Sequence, residues 1–145
     1  LVFIVDDNLI GNKKAIKAVL RDVIAWQEAG GYPLSFFTEA SLDLAEDEEL
    51  MTLMVEAGIE AVFVGIESPN ESALRETRKL QNIHKSASLV ERVHAIQRAG
   101  MEVWSGMIVG FDHDEKGIFE AQRQFLKEAR IANAMIGMLT AIAAW

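Results

Sequence analysis

The sequence predicts an α/β fold of parallel strands alternating with helices, in one domain spanning residues 1–145. Three observations predict it. Short β-branched and aromatic runs recur along the chain, and a stretch of helical periodicity follows each one. Three of the helical stretches close on one pattern, Glu28-Ala29-Gly30, Glu56-Ala57-Gly58 and Arg98-Ala99-Gly100, with Glu128-Ala129-Arg130 a fainter copy. An apolar run follows each close, and the period of about 30 residues is that of one βα unit. Alternation with short links implies parallel strands and right-handed crossovers.

The elements follow in order. Residues 1–5 form an apolar run suited to a strand buried on both faces, and it ends in Asp6-Asp7-Asn8. Asn12 can cap the first helix, whose Ile16, Val19, Leu20, Val23 and Ile24 make one apolar stripe. Gly30-Gly31 ends it by supplying a left-handed conformation. Residues 34–37 are the second strand, ending in Thr38-Glu39. The next helix opens on Glu46, Asp47, Glu48 and Glu49, charges favoured by the helix dipole. It carries Leu50, Leu53, Met54 and Ala57 on one face and stops at Gly58.

The third strand spans 62–66 and ends in Glu67-Ser68-Pro69. A short helix near 70–79 precedes a longer one with Leu89, Val93 and Ile96 inward and Gly100 at its end. The fourth strand spans 103–109 and ends in Gly110-Phe111-Asp112. A helix with Ile118, Phe119, Gln122, Phe125, Leu126 and Ala129 follows, then a last strand at 134–139. Two architectures share this pattern, an open doubly wound sheet and a segment of a (β/α) barrel. Both place their sites at the carboxyl ends of the strands.

Composition narrows the function. Half of the 145 residues are hydrophobic and 25% are charged, ordinary for a globular α/β protein. The net charge of -8 argues against non-specific binding of nucleic acid or an anionic membrane surface. No run approaches the roughly 18–20 apolar residues that span a bilayer. With no cysteine, the chain can form no disulfide, thiolate zinc site or thiolate-held iron–sulfur cluster of its own. That composition fits a reducing cytoplasm. The chain starts inside an apolar run and ends in Ala143-Ala144-Trp145, so a fragment of a longer protein is expected, one whose exposed strand edges invite self-association.

Four strands end in carboxylates: Asp6 and Asp7, Glu39, Glu67, and Asp112 with Asp114. Any one of them could simply cap the following helix. Four together form an acidic rim suited to ribose hydroxyls, an amino group or a metal ion. In the fourth unit, Gly106-Met107-Ile108-Val109-Gly110 places two glycines around an aliphatic position, which marks close backbone approach or a bulge. The Asp6-Asp7 pair also suits a response-regulator receiver. That family needs an Asp after the third strand and a Lys after the fifth, where Glu67 and Thr140-Ala141 stand instead.

Phe3-Ile4-Val5-Asp6-Asp7-Asn8, Phe37-Thr38-Glu39, Val64-Gly65-Ile66-Glu67-Ser68 and Gly106-Met107-Ile108-Val109-Gly110-Phe111, in that order, resemble successive strands of a radical S-adenosylmethionine (radical SAM) barrel. The likeness is greatest to the cobalamin-associated branch. It covers the chain from the second barrel strand to the sixth and implies a parallel-stranded partial (β/α) barrel fragment. By the resemblance, Gly106, Ile108 and Gly110 match the G-x-I-x-G element that packs on the adenine of S-adenosylmethionine. Glu39, Glu67 and Ser68 stand where relatives place polar groups near the ribose and methionine. Ile136 lies in the last strand, which lends backbone to the adenine. Asp6, Asp7, Asn8 and His113 are candidates to face a small-molecule substrate.

The parent activity implied is reductive cleavage of S-adenosylmethionine by a [4Fe-4S] cluster for radical chemistry on an unnamed substrate, with cobalamin a further candidate cofactor. The family's C-x₃-C-x₂-C loop is absent, so the resemblance implies an inactive fragment. Where the family often has a Glu three residues beyond the second glycine, His113 stands, with Asp114 and Glu115 next. The alternative is a non-catalytic ligand-binding α/β domain with an acidic rim. His94 is expected to be structural, and His84 with Arg75, Arg78, Lys79 and Lys85 to form a solvated basic face. Trp26 and Trp104 are expected as packing or rim aromatics, and Trp145 to meet protein in the parent.

Overall fold

Each of the expected βα units forms in the computed structural model, which describes residues 1–76, 82–83 and 87–140. The order is β1 (Val2–Ile4), α1 (Lys13–Gly30), β2 (Phe36–Glu39), a 3₁₀ turn (Leu42–Glu46), α2 (Glu48–Glu56), β3 (Ile59–Glu67), α3 (Glu71–Glu76), α4 (Leu89–Ala99), β4 (Glu102–Val109), α5 (Ile118–Glu128) and β5 (Asn133–Met138). The caps are local and follow the chemistry of the residues. Asn12 accepts the Ala15 N–H, Asp47 accepts the Leu50 N–H, and Ser88 with Glu91 makes a complete capping box. Gly31 and Gly100 close α1 and α4 in the left-handed region.

All four strand pairs are parallel, and the sheet order is β1-β2-β3-β4-β5. That order separates the two architectures. A doubly wound sheet reverses its strand order at a switch point. Here each strand lies beside its sequence neighbour, so right-handed crossovers put every helix on one face. On that face Phe36, Val62, Val64, Ile66, Val103 and Met107 are buried with Leu20, Leu50, Met54, Val93, Ile96 and Phe125. The alternate residues, among them Phe37, Phe63, Gly65, Trp104 and Gly106, stand on the inner face. Phe3 stacks on Phe37 at 4.5 Å between ring centroids, and Phe37 meets Trp104 at 4.8 Å. Phe37 and Trp104 lie two strands apart, about 9–10 Å in a flat sheet. They meet over small Ala61, the register partner of Phe37, because the sheet is concave. The fold is a partial (β/α) barrel.

Several local expectations are corrected. Strand β2 lies two residues later than residues 34–37, because the Leu34 N–H and carbonyl are taken by the side chain of Gln27. The acidic stretch at 46–49 is divided, with a 3₁₀ turn before Asp47 and α2 after it. Val19 and Phe119 leave their predicted stripes, at 52% and 68% exposed. The helix near 70–79 is observed as Glu71–Glu76. Arg78, Lys79, His84, Lys85 and Trp145 lie outside the described residues. No described helix is long and apolar enough to cross a membrane.

An ionic clamp joins α1 to α2. The Lys17 ammonium lies 2.8 Å from both Asp47 and Glu49, and Arg21 lies 2.6 Å from Glu49. The hydrogen bond from Lys17 holds the Asp47 carboxyl below its ordinary value, against burial and with help from the Leu50 N–H. The same ammonium lowers Glu49. A carboxyl depressed by folding adds stability above its unfolded pKa and loses it as pH falls through the folded value. The clamp is therefore intact at neutral pH and fails below about pH 4, under the unfolded carboxylate values. Asp47→Ala is expected to cost about 1 kcal/mol at neutral pH through the lost cap. Urea denaturation across that acid range should show a shallower pH dependence in the variant.

Candidate functional site

The carboxyl ends of β1, β2 and β3 enclose a cavity of about 250 Å³ lined by Asp7, Asn8, Glu39, Ala40, Ser41, Phe63, Gly65, Glu67 and Asn82. Its walls are built by backbone bonds that tie each strand end to the next. The Leu9 N–H donates to the Glu39 carbonyl at 3.0 Å, and the Ala40 N–H to the Phe63 carbonyl at 3.0 Å. Asn8 accepts the Ser41 N–H at 3.0 Å and its hydroxyl at 3.3 Å. Ser41 also bonds Asp43, whose carboxyl burial pushes up and the hydrogen bonds from Lys13 and Ser41 pull down, leaving it below the ordinary range.

Glu67 takes its place through an unusual backbone. The β3–β4 register shifts between Gly65 and Glu67, and Glu67 has φ 67°, a left-handed conformation costly for a residue with a β-carbon. Bulges at strand ends re-aim side chains. The bend is held from behind by Asn82, 3% exposed, whose amide donates to the Gly65 carbonyl at 2.9 Å and the Ile66 carbonyl at 3.1 Å. Such strain persists where the surroundings over-determine it.

Of the residues expected at a site, the structure brings Asp7, Asn8, Glu39 and Glu67 into one cavity wall. Asp6 instead accepts the Asn8 N–H at 2.9 Å and shapes the turn beneath. Ser68 is fully buried and accepts the Asn70 N–H at 3.1 Å, bracing the loop after β3. Gly106 pairs in register with Gly65 beside the cavity, and the Phe63 ring lies over it. Ile108 lies further along the inner face, and its carbonyl accepts the buried Gln122 amide at 2.8 Å. Gly110, at φ 103°, ends the strand. Asp114, one residue beyond the family's usual acidic position, accepts the N–H groups of Gly110 at 2.8 Å and Phe111 at 3.1 Å. Ile136 registers with Met107 and so points to the helix side, leaving only its backbone to the inner face. His113 is exposed, and its carbonyl accepts the Asn70 amide at 3.3 Å.

His94 makes the structural contact expected of it, with its ring nitrogen 3.1 Å from the Glu128 carbonyl. Among the described residues, no three His, Cys, Asp or Glu side chains could hold a metal ion. The carboxylates of the rim are hydrogen-bond acceptors for hydroxyls or an ammonium group. Sequence inspection missed Phe63, Ser41 and Asn82. Ser41 was findable as a hydroxyl just past a strand, whereas nothing local marks Asn82 as the brace of β3.

No protein-family model matches the chain. It is 45% identical over 141 residues to an uncharacterized methyltransferase, sll1242, of Synechocystis sp. (strain ATCC 27184 / PCC 6803 / Kazusa). It is 38% identical over 141 residues to the hopanoid C-2 methylase of Rhodopseudomonas palustris (strain TIE-1). Each match covers 97% of this chain and 26% of the relative, so the chain spans about a quarter of their length. Among solved structures it resembles the radical S-adenosylmethionine methyltransferase TsrM from Kitasatospora setae with cobalamin and a [4Fe-4S] cluster bound. That likeness has a TM-score of 0.73 at 14% identity and covers 94% of this chain and 27% of TsrM. TsrM with tryptophan substrate and the analogue aza-SAM bound gives a TM-score of 0.72. The structural likeness carries the fold, and the sequence likeness carries the kinship with methylases. Over nearly its whole length this chain is thus related in sequence to a stretch of two methyltransferases, and it shares its fold with a stretch of TsrM.

Proposed function

We propose that this chain is the part of a radical SAM methyltransferase barrel that holds S-adenosylmethionine, in a protein that methylates a small molecule. The observation that carries it is the meeting of Asp7, Glu39 and Glu67, from three successive strand ends, around one cavity. Carboxylates accept strongly from ribose hydroxyls and from an ammonium group. The cavity's 250 Å³ falls below the ~300–1,000 Å³ of small-molecule sites, so it suits one polar end of the cofactor. Gly65 and Ile108 continue the inner face beside it for the less polar remainder.

When bound, S-adenosylmethionine supplies an activated methyl group. The residues of this chain bind and orient it: Glu39 and Glu67 as acceptors, Asn82 and Asp114 as braces of the strand ends that present them. The iron–sulfur cluster does not fit this chain, which has no cysteine, and no step here passes through it. Cobalamin enters by kinship alone, with no residue assigned to it. The methyl acceptor is a small molecule, as tryptophan is for TsrM.

The test uses the full-length protein and S-adenosylhomocysteine as probe, followed by calorimetry. Glu39→Gln and Glu67→Gln are each expected to weaken binding about tenfold, or about 1.4 kcal/mol. Glu60→Gln, an exposed position at the opposite end of β3, should leave it unchanged. Equal affinity in all four proteins would refute the assignment, and absence of binding would favour the non-catalytic alternative.

A further inference from the structure

We infer that Phe63 is the apolar contact for the ligand of the carboxylate cavity, and that position 106 is glycine in order to seat its ring. The ligand's identity rests on the function proposed above, whereas the Phe63–Gly106 pairing does not. Phe63 stands on the inner face of β3, in register between Glu39 of β2 and Trp104 of β4. Its ring reaches diagonally to the next position of β4, the reach expected of an aromatic across a strand pair. A β-carbon on Gly106 would lie 2.8 Å from Phe63 Cζ, closer than such atoms pack, and 3.0 Å from Cε1, a tight contact. The open side of Gly106 is thus taken by this ring. The same residue lines the cavity beside Glu39, Gly65 and Glu67.

On the inner face Phe3 and Phe37 lie below Phe63, and Trp104 stands level with it on one side. Glu39 stands level with it on the other side, and Glu67 lies above. The site is amphipathic along its depth, a flat apolar surface under hydrogen-bond acceptors. It suits a ligand with a planar or aliphatic body and a hydroxylated or cationic end. Gly65 and Gly106, side by side, add no side chain that would keep such a body from the ring.

The experiment again uses the full-length protein, with S-adenosylhomocysteine affinity and melting temperature measured on every variant. Phe63→Leu is expected to stay folded and bind the probe about tenfold more weakly, and Phe63→Tyr to bind as the parent does. Gly106→Ala should lower both stability and affinity. Combining it with Phe63→Leu should restore the melting temperature to that of Phe63→Leu alone, since the clash is gone. Unchanged affinity in Phe63→Leu overturns the ligand contact. A double variant no more stable than Gly106→Ala overturns the seat. If the unmodified protein does not bind the probe, the cofactor assignment falls, and the double variant still decides the pairing.

Discussion

Gly58→Ala is expected to lose about 2–5 kcal/mol of folding stability, from a left-handed β-carbon penalty of about 1–2 and a broken buried hydrogen bond of about 1–3. Gly58 has φ 89°, and an added β-carbon would lie 2.6 Å from Gln27 Nε2 and 3.2 Å from the Leu34 carbonyl. Gln27 is fully buried at the amino end of the sheet. Its amide donates to the Leu34 carbonyl at 2.6 Å and the Ala57 carbonyl at 3.0 Å, joining the end of α1 to the end of α2 and the start of β2. Displacing it leaves buried carbonyls without a donor, the expensive half of hydrogen-bond energetics. For a chain of this size the loss corresponds to roughly 6–15 °C in melting temperature. Gly117→Ala is the control: φ at Gly117 is -80° and its β-carbon would meet open space. That variant should be neutral or slightly more stable. A Gly58→Ala urea midpoint within error of the parent would refute the account of Gln27 as the bolt of the lower barrel.

The isolated 145-residue chain is expected to self-associate through its sheet edges. Among the described residues strand β5 pairs only with β4, and all six of its residues are exposed, with Met135 at 70% and Met138 at 77%. At the other edge Leu1 is 70% exposed and Phe3 41%. An exposed, apolar, uncharged edge is a template for another strand. The net charge of -8 opposes association at long range but is screened beyond about 8 Å at physiological salt. Sedimentation velocity at high micromolar concentration should show species larger than the monomer. Met135→Lys with Ile136→Lys, which places charge on both sides of β5, should weaken that association at least about tenfold, since edge lysines are how natural sheets block pairing. A clean monomer from the unmodified chain would refute the prediction.

How far the sequence carried depends on the range of the interaction concerned. Asn12, Gly31 and Gly100 were legible as caps because capping joins residues two to four apart. Asp7, Glu39 and Glu67 were legible as a rim because βα alternation sends every strand end the same way. Val19 and Phe119 were misplaced because periodicity shows that a helix has an apolar stripe and says nothing of what stands opposite it. The burial of Gln27 follows from the Leu34 segment folding back under it.

By itself the sequence determined the elements, their parallel sense and the end of the molecule that carries the acids, since those depend on local periodicity, capping and crossover handedness. Only the tertiary structure decided the sequential strand order, the left-handed turn that aims Glu67 and the ring of Phe63 on Gly106. These are contacts between residues far apart in the chain, set by which strands pair and in what register, and no local pattern encodes them.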